Sequence, residues 1–192
     1  MRIPLFPLNS VLFPGGILTL RIFEQRYLRM ISDCLTNEAP FGICLIRKGV
    51  EVGDAATPFK VGTLARIVDW NQRADGLLGI TVQGERRFAI VAQEADPDQL
   101  LYAQVNLLEE MPAAPLTEDF QPLAELLRRI FDQLDDSDKP KGQHPNDAAW
   151  VGCRLAELLP LPLRHKQRLL ETDDPIERLQ LLHRMLQPDT AS

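Results

Sequence analysis

Cysteine, histidine and serine, the residues that build most nucleophilic and metal sites, are scarce in this chain of 192 residues. The three cysteines, Cys34, Cys44 and Cys153, are odd in number, far apart and set among apolar residues, which is typical of buried hydrophobes and not of a disulfide framework. The three histidines show no metal-ligand spacing with the cysteines or with one another. We therefore expect no metal site and a reducing, cytoplasmic environment.

Long apolar runs and an excess of positive charge are also missing. The most apolar early stretch, residues 11–20, is interrupted by Pro14-Gly15-Gly16 and follows no basic region, whereas a membrane span needs roughly 18 consecutive apolar residues. We expect neither a signal peptide nor a membrane helix. The formal net charge of -6 means that most of the surface repels phosphate backbones. General nucleic-acid binding is therefore not expected.

Local enzyme motifs are absent from the sequence. It contains no G-x-x-x-x-G-K-[ST] loop for nucleotide phosphates and no G-x-G-x-x-G loop for a dinucleotide. The four serines, at positions 10, 32, 137 and 192, lie outside any G-x-S-x-G turn. Asp135, Asp136 and Asp138 lack the glycine and the distal glutamate of a calcium loop. We predict a protein that is not an enzyme, with no cofactor, no catalytic residue and no metal ligand.

The first part of the chain, to about Met111, has short apolar runs separated by glycine and turn residues, a pattern typical of a small twisted sheet or barrel. One helix is predicted from Glu24 to Leu35, where apolar residues recur at helical spacing. Alternation and composition predict strands over residues 18–22, 41–46, 61–70, 78–82, 87–92 and 102–108.

The segment from Glu109 to Thr117 contains two prolines among small residues and is interpreted as a linker between a domain of residues 1–112 and a domain of residues 118–192. Beyond it the apolar period changes to 3.6, which predicts a bundle of about four helices. A polar stretch, residues 135–146, is predicted to be a mobile loop, and Asp174-Pro175-Ile176-Glu177 predicts a capped helix start. The fold class is therefore α+β, a sheet-rich domain followed by a small helical bundle.

Two motifs carry a family resemblance. Pro4-Leu5-Phe6-Pro7-Leu8 is followed by Val11-Leu12-Phe13-Pro14-Gly15, and Val82-Gln83-Gly84-Glu85-Arg86-Arg87-Phe88 is followed by Ile90. Together they resemble the Lon N-terminal domain family, whose members open with P-L-x-x-x-V-x-F-P-G and later show G-x-x-R-x-x-I. Further matching pieces lie at residues 41–42, 61–65, 159–160 and 166–171. Their order and spacing extend the resemblance from about Pro4 to Leu186.

The resemblance implies a PUA-like pseudobarrel with a smaller helical part, and a module that captures unfolded or tagged substrates for Lon proteases. Because the chain ends at Ser192, neither ATP hydrolysis nor proteolysis is carried over. The implied function is that of a bacterial-type cytoplasmic recognition module, which binds peptides or unfolded protein segments through apolar side chains and an exposed strand edge. Other proteins of the proteolysis machinery are a second class of partner.

PUA-like barrels are also used to bind other ligands, so the alternative is a small-molecule or RNA-binding module. Four basic residues gathered around one cleft would favour it, namely Arg47, Lys48, Arg86 and Arg87. Scattered positions would not, because a phosphate-binding site needs its cations on one exposed face.

Aromatic rings and arginines of the sheet-rich part are the candidate peptide-binding residues: Phe13, Phe23, Tyr27, Arg66, Trp70 and Arg87. Trp70 lies at the start of the polar stretch of residues 69–76, so it is the ring most expected at the surface. For Phe13 a purely structural turn is the alternative, because Pro14-Gly15-Gly16 follows it. For Arg87, near Gly84, the alternative is that it anchors a neighbouring loop.

The short linker keeps the two parts close while leaving their angle free, and clefts at such boundaries are common ligand sites. We therefore predict that residues 1–112 fold alone but bind peptide more weakly than the whole chain. Thermal unfolding and peptide titration of the expressed fragment check this. Equal affinity would remove the junction from the mechanism, and failure to fold would mean one inseparable core.

Overall fold

The computed structural model describes residues 1–135 and 142–187. The chain divides into two compact units, Met1–Glu110 and Met111–Ser192. Asp136, Asp138 and the central part of the predicted mobile loop lie outside the described residues. Among the described residues, no helix is long and apolar enough to cross a membrane.

The first unit holds seven of the described strands and one helix. Helix α1 spans Gln25–Thr36. The strands are β1 Arg2–Leu8, β2 Ile17–Ile22, β3 Phe41–Lys48, β4 Thr57–Pro58, β5 Val61–Gln72, β6 Leu78–Ala95 and β7 Leu101–Leu107. The α+β class is confirmed. The two strands predicted at 78–82 and 87–92 are one long strand, β6, because the chain stays extended through the Gly84 region although its alternation is interrupted there.

Five of these strands close into a ring in the order β1-β7-β6-β5-β3, and β3 returns to β1. Strand β1 makes the closure: residues 2–5 pair antiparallel with β7, and residues 5–8 pair parallel with β3. The ring is the barrel-like sheet expected from the sequence. Two strands lie off it, since β2 pairs with β6 and β4 with β3.

Two apolar layers explain why ring strands such as β3 are buried on both faces. One layer fills the ring, and the other lies between the sheet and α1. Alternate residues of one strand serve the two layers: Leu5 belongs to the ring layer and Phe6 to the layer under α1. This follows from the period of two in a strand, and it makes six consecutive residues of β3, from Phe41 to Ile46, buried.

The ring layer is filled by Phe88, which is 0% exposed. Its ring occupies the space that a Cβ would need at two glycines, with Phe88 Cζ 2.7 Å from the Cβ position of Gly42 and 2.8 Å from that of Gly62. These glycines belong to the matching pieces Phe41-Gly42 and Val61-Gly62. A larger residue at either one would collide with a phenyl group in the closed ring, where little relaxation is available.

The first two resemblance motifs meet at Gly84. Phe13 to Gly16 form a tight turn in which Gly16 N–H donates to Phe13 O at 2.9 Å, and Gly15 has a φ of 73°, as a type II turn requires. Gly15 N–H donates to Gly84 O and Gly84 N–H donates to Gly16 O, both at 2.8 Å. This is the G1 bulge pattern, with the left-handed glycine first. The structural interpretation of this turn is therefore correct.

Helix α1 places one apolar face on the sheet. Of the predicted apolar face, Tyr27, Ile31 and Cys34 are buried at helical spacing, whereas Leu28 is half-buried and Leu35 is 40% exposed. Met30 is also buried, although it was not predicted to be. The helix ends at Thr36, and the chain turns through Glu38, whose φ is 50°. Ala39 N–H then donates to Cys34 O at 3.0 Å, which satisfies a carbonyl of the last helical turn.

The second unit is helical. A short 3-10 helix, Glu118–Phe120, precedes α2 Gln121–Asp132, α3 Ala148–Leu158, α4 Leu163–Glu171 and α5 Pro175–Leu186. The predicted helix start is confirmed, because the Asp174 carboxylate accepts from Ile176 N–H at 2.7 Å and from Glu177 N–H at 2.9 Å. Part of the predicted linker pairs with the start of α3: Leu116 N–H donates to Asn146 O at 2.9 Å.

Arg178 fastens α5 to the end of α4. Its side chain is fully buried, its Nε donates to Leu169 O at 2.9 Å, and its Nη2 donates to Thr172 O. Both acceptors lie at the carbonyl end of α4, where the helix dipole favours a cation. Such hydrogen bonds are the condition for this burial, because a charged residue is rarely buried unless its hydrogen bonds are satisfied.

Gly84→Ala tests the contact between the two motifs. A Cβ at Gly84 would overlap the carbonyl oxygen of Phe13, and backbone cannot give way as a side chain can. We expect this change to lower the free energy of unfolding by at least about 2 kcal/mol, measured by urea denaturation.

The matched control is Gly79→Ala in the same strand. Its Cβ would meet Asn71 Oδ1 at 2.8 Å and Arg73 Cγ at 3.1 Å, both on flexible exposed side chains. The control should cost less than about 1 kcal/mol. Equal losses in the two variants would show that the turn is not held through Gly84.

Candidate functional site

Three strand segments extend the sheet of the first unit beyond the ring, and we call them the wing: β2, residues 66–72 of β5 and residues 78–83 of β6. In the wing β6 is the middle strand, since it pairs with β2 on one side and with β5 on the other. Because directly paired residues place their side chains on the same face, the pairing register assigns each wing residue to a face.

One face of the wing carries apolar cross-strand rows. Leu20, Ile80 and Trp70 are paired in sequence across the three strands and form one row. Leu18, Val82 and Ile67 form the row beside it. These rows belong to the apolar layer that α1 covers, which includes Ile80 and Val82 as buried members and Leu18, Leu20 and Ile67 as partly buried ones.

A bulge in β5 decides which way Trp70 points. The register between β5 and β6 shifts between Ile67 and Asp69, so Val68 is the additional residue. Without it, simple alternation would place Ile67 and Trp70 on opposite faces. With it, both lie in the apolar rows, and Trp70 extends the rows to a position where its side chain is 62% exposed.

A shallow cavity of about 280 Å³ lies where the wing meets the end of α1, lined by Cys34, Leu35, Glu38, Ala39, Arg66 and Ile67. Leu35 is 40% exposed at its rim. Ile67 belongs both to this cavity and to the apolar rows. Apolar surface therefore continues from the cavity along the wing face toward Trp70, and contiguous apolar surface of this kind marks binding sites.

Phe23 follows directly after β2 and is 47% exposed, with the Arg21 guanidinium 5.9 Å from its ring centroid. Two other exposed apolar residues of the wing, Ile17 and Val68, were not among the predicted site residues. Consecutive apolar pairs, Ile17-Leu18 and Ile67-Val68, were the available signal. Alternation could not show which member of each pair faces outward.

Three of the six predicted site residues are buried, and their assignment to a surface site is corrected here. Phe13 is 0% exposed because its turn is folded onto β6. Tyr27 is 5% exposed and stacks on Phe6 with ring centroids 3.9 Å apart, and burial raises its pKa to about 12. Arg87 is 3% exposed. None of the three presents its side chain to a partner on the surface.

Arg87 and its neighbour hold the chain that leaves β7. Leu108 N–H donates to Arg87 O at 2.9 Å, and Arg86 Nη2 donates back to Leu108 O at 2.9 Å. Arg87 Nη2 lies 3.5 Å from Glu109 O. These bonds support the interpretation of Arg87 as an anchor for a neighbouring loop.

Arg66 is exposed but engaged. Its Nε lies 2.5 Å from Glu85 Oε1 and its Nη1 donates to Glu38 O at 3.2 Å. The hydrogen bond that Arg66 donates to Glu85 raises the pKa of Arg66 above its ordinary value. By register Arg66 pairs with Gln83 and lies on the face opposite the apolar rows. Of the predicted residues, Phe23 and Trp70 are thus the ones that offer apolar surface.

The four basic residues of the RNA alternative are not gathered around one cleft. Arg87 is buried, and it pairs with Thr63, which pairs with Ile43. Arg47 lies four residues beyond Ile43 along β3, roughly 13 Å from it at the usual strand rise. Arg86 is occupied by Leu108 O and lies 3.8 Å from Glu110. This arrangement does not favour phosphate binding.

The buried thiols of Cys34 and Cys44 are not in their reactive, deprotonated form. Burial, with a smaller effect of Asp33, raises the pKa of Cys34 to about 11, and burial also raises the pKa of Cys44. Both are protonated at neutral pH, whereas the thiolate is the reactive form. Within residues 1–135 and 142–187, no group of three or more His, Cys, Asp or Glu side chains is arranged to hold a metal ion.

Residues 2–188 match the family model described as the ATP-dependent protease La (LON) substrate-binding domain. Among curated proteins, Lon protease 2 of Myxococcus xanthus is 28% identical over 194 residues, which cover 96% of this chain and 23% of the relative. The Lon protease of Anaeromyxobacter dehalogenans is 26% identical, with 96% and 23% covered. The chain thus spans about a quarter of the length of these relatives, and its match is to the substrate-binding domain, not to the protease domain.

Two solved structures are similar over nearly their whole length. A Lon N-terminal domain protein from Xanthomonas campestris has a TM-score of 0.82 and 37% identity, with 98% of this chain and 99% of the other covered. The N-terminal domain of a Mycobacterium avium complex Lon protease has a TM-score of 0.65 and 21% identity, with 95% and 96% covered. The second likeness bears on the fold alone.

Arg87→Lys separates anchoring from ligand contact. Lysine keeps the charge but loses the planar fork of the guanidinium. We expect the variant to lose about 1–3 kcal/mol of unfolding free energy while its folded fraction binds an unfolded protein with unchanged affinity. Denaturation and titration at a temperature well below the transition measure the two quantities. Unchanged stability with weakened binding would return Arg87 to the binding site.

Proposed function

Because the chain belongs to the family of Lon substrate-binding domains, we propose that it is a non-catalytic recognition module that binds peptides and unfolded protein segments through the wing. Other proteins of the proteolysis machinery are a second class of partner in this proposal, and a cytoplasmic location remains a prediction. The observation that carries the proposal is Trp70, a large ring 62% exposed at the end of an apolar row.

The placement of Trp70 suits a protein that recognises unfolded chains. A large aromatic ring contributes much of the binding free energy at an interface when it becomes buried by a partner. Trp70 extends an apolar surface, because Ile67, Leu18 and Leu20 in the same rows are only partly buried and leave apolar atoms accessible. An unfolded segment that covers these residues would bury its own apolar side chains at the same time.

Specificity of such a surface is necessarily broad. The wing face offers aliphatic and aromatic contacts, whereas Arg66, the cation that lines the cavity, is already paired with Glu85. Apolar contact is non-directional, so it discriminates unfolded from folded chains by exposed apolar surface more than by sequence. The domain would therefore select for exposure of core residues, as a recognition module for damaged or incompletely folded proteins must.

Trp70→Ala is the direct test. We expect it to weaken binding of a reduced and carboxymethylated, permanently unfolded protein by about tenfold or more, which corresponds to about 1.4 kcal/mol. Titration is followed by fluorescence anisotropy of the labelled unfolded protein. Phe23→Ser should weaken binding in the same direction by a smaller factor.

Val91→Ser is the matched control. Val91 is also 62% exposed, but it lies in β6 beyond the wing, so its replacement should leave affinity unchanged. In a Trp150→Phe background, Trp70 is the only tryptophan of the chain, and its emission should shift to shorter wavelength on binding. Equal losses for Trp70→Ala and Val91→Ser, or no spectral shift, would contradict binding at the wing.

A further inference from the structure

Strand β2 is an edge strand of the wing. In the described part of the chain it pairs with β6 on one side and with no strand on the other. Ile17, Thr19 and Arg21 are exposed, and Leu18 and Leu20 are half-buried. An edge of this kind presents backbone donors and acceptors that another chain can pair with.

The hydrogen bonds at Gly84 show which backbone groups face outward. Gly84 N–H donates to Gly16 O, so the Gly16 carbonyl points toward β6. In an antiparallel ladder, successive residues direct their N–H and C=O groups alternately to one side and to the other. Leu18 and Leu20 therefore bond to β6, and Thr19 and Arg21 direct both their N–H and C=O groups away from it.

The opposite edge of the wing, along β5, is protected against pairing with another strand, which provides a comparison for the β2 edge. Along β5 the edge is bent by the bulge at Val68, carries the charges of Arg66 and Asp69, and is joined to the end of α1 by the bond from Arg66 to Glu38 O. Bulges, charges and covering helices are the usual devices against unwanted strand pairing.

Of these devices, β2 carries only the charge of Arg21, within the described part of the chain. Its ladder with β6 runs over six consecutive pairs without a register shift. Residues 17–20 are Ile-Leu-Thr-Leu, without charge or proline, and of β2 only Arg21 is charged. An edge with an unshifted register and few charges is an aggregation hazard unless it has an occupant.

We propose that an extended segment of the substrate polypeptide adds to the outer edge of β2 as an antiparallel strand, bonded to the backbone of Thr19 and Arg21. This inference rests on the proposed function and names the chemical form of its substrate. The occupant is a backbone in extended form, because two residues with outward N–H and C=O groups at strand spacing match another strand.

The register of β2 also predicts the side-chain pattern of the bound segment. Side chains of the added strand that lie level with Leu18 and Leu20 continue the apolar rows, whereas those level with Thr19 and Arg21 lie on the other face. The preferred segment therefore alternates apolar with polar residues over about six positions. A folded protein does not present its buried strands in this form, so the edge selects unfolded chains.

A peptide of about ten residues that alternates valine and threonine is the probe. With its valines on the apolar-row face, its threonines lie opposite Thr19 and Arg21, and their N–H groups donate to β2. Methylation of the threonine nitrogens should weaken binding by about tenfold or more. Methylation of the valine nitrogens, which face solvent, should change affinity by less than about twofold.

The outcomes separate this inference from the proposed function. If the unmethylated peptide binds and the two methylated forms bind equally well, strand addition is wrong while recognition by apolar contacts stands. If the alternating peptide does not bind but the unfolded protein does, strand addition is again wrong. If neither binds, the proposed function itself fails.

Amide hydrogen exchange gives a test that does not depend on a variant. The amides of Thr19 and Arg21 should exchange rapidly in the free protein and become protected when the peptide binds, whereas those of Leu18 and Leu20 should be protected in both states. Protection of Thr19 and Arg21 that is concentration-dependent without peptide, with a dimer in sedimentation, would assign the edge to a second copy and overturn the proposal.

Thr19→Pro, with Thr19→Val as its control, tests the same edge from the protein side. Proline removes the outward N–H of residue 19 and no bond to β6, a position that edge strands tolerate. We expect it to lower peptide affinity by about tenfold, while valine leaves affinity unchanged. An unchanged affinity in a folded Thr19→Pro variant would overturn the proposal.

Discussion

The close approach of Gly84 to the backbone of the Phe13–Gly16 turn is the contact on which the arrangement of the first unit depends. At this point β6 changes partner along one edge: residues 78–83 pair with β2, and residues 88–95 pair with β7. The turn occupies the gap between those two strands. It can do so because Gly84 has no side chain and Gly15 adopts a left-handed conformation.

This single junction links a closed ring to an open wing. In the ring, the closure of β1 against β3 and β7 leaves the shared strands buried on both faces, with Phe88 filling the interior. In the wing, β6 pairs with β2 and β5, and within the described residues neither of those segments pairs with a further strand. The buried core of the ring therefore stabilises the unit, and the wing provides the surface that suits a partner. Both contain part of the same strand, β6.

Bulges determine which side chains and backbone groups of the wing are accessible to a partner. The bulge at Val68 rotates Trp70 onto the apolar face and at the same time blunts the edge of β5. The bulge at Gly15 and Gly84 sets the phase of β2, so that Thr19 and Arg21 face outward with their backbone groups. Apolar side chains and an available backbone are thus combined on one small sheet, which is the pair of features that an unfolded polypeptide can match.

The sequence by itself determined the α+β class, the helix spacing of α1, the capped start at Asp174 and, through its motif order, the family. These follow from local periodicity and from residues whose backbone or capping role is intrinsic to their type. The ring closure, the continuity of β6 and the burial of Phe13 and Arg87 were decided by tertiary structure. A ring or a guanidinium has the same apolar or charged character in any sequence, and only strand pairing and bulges determine which face it occupies.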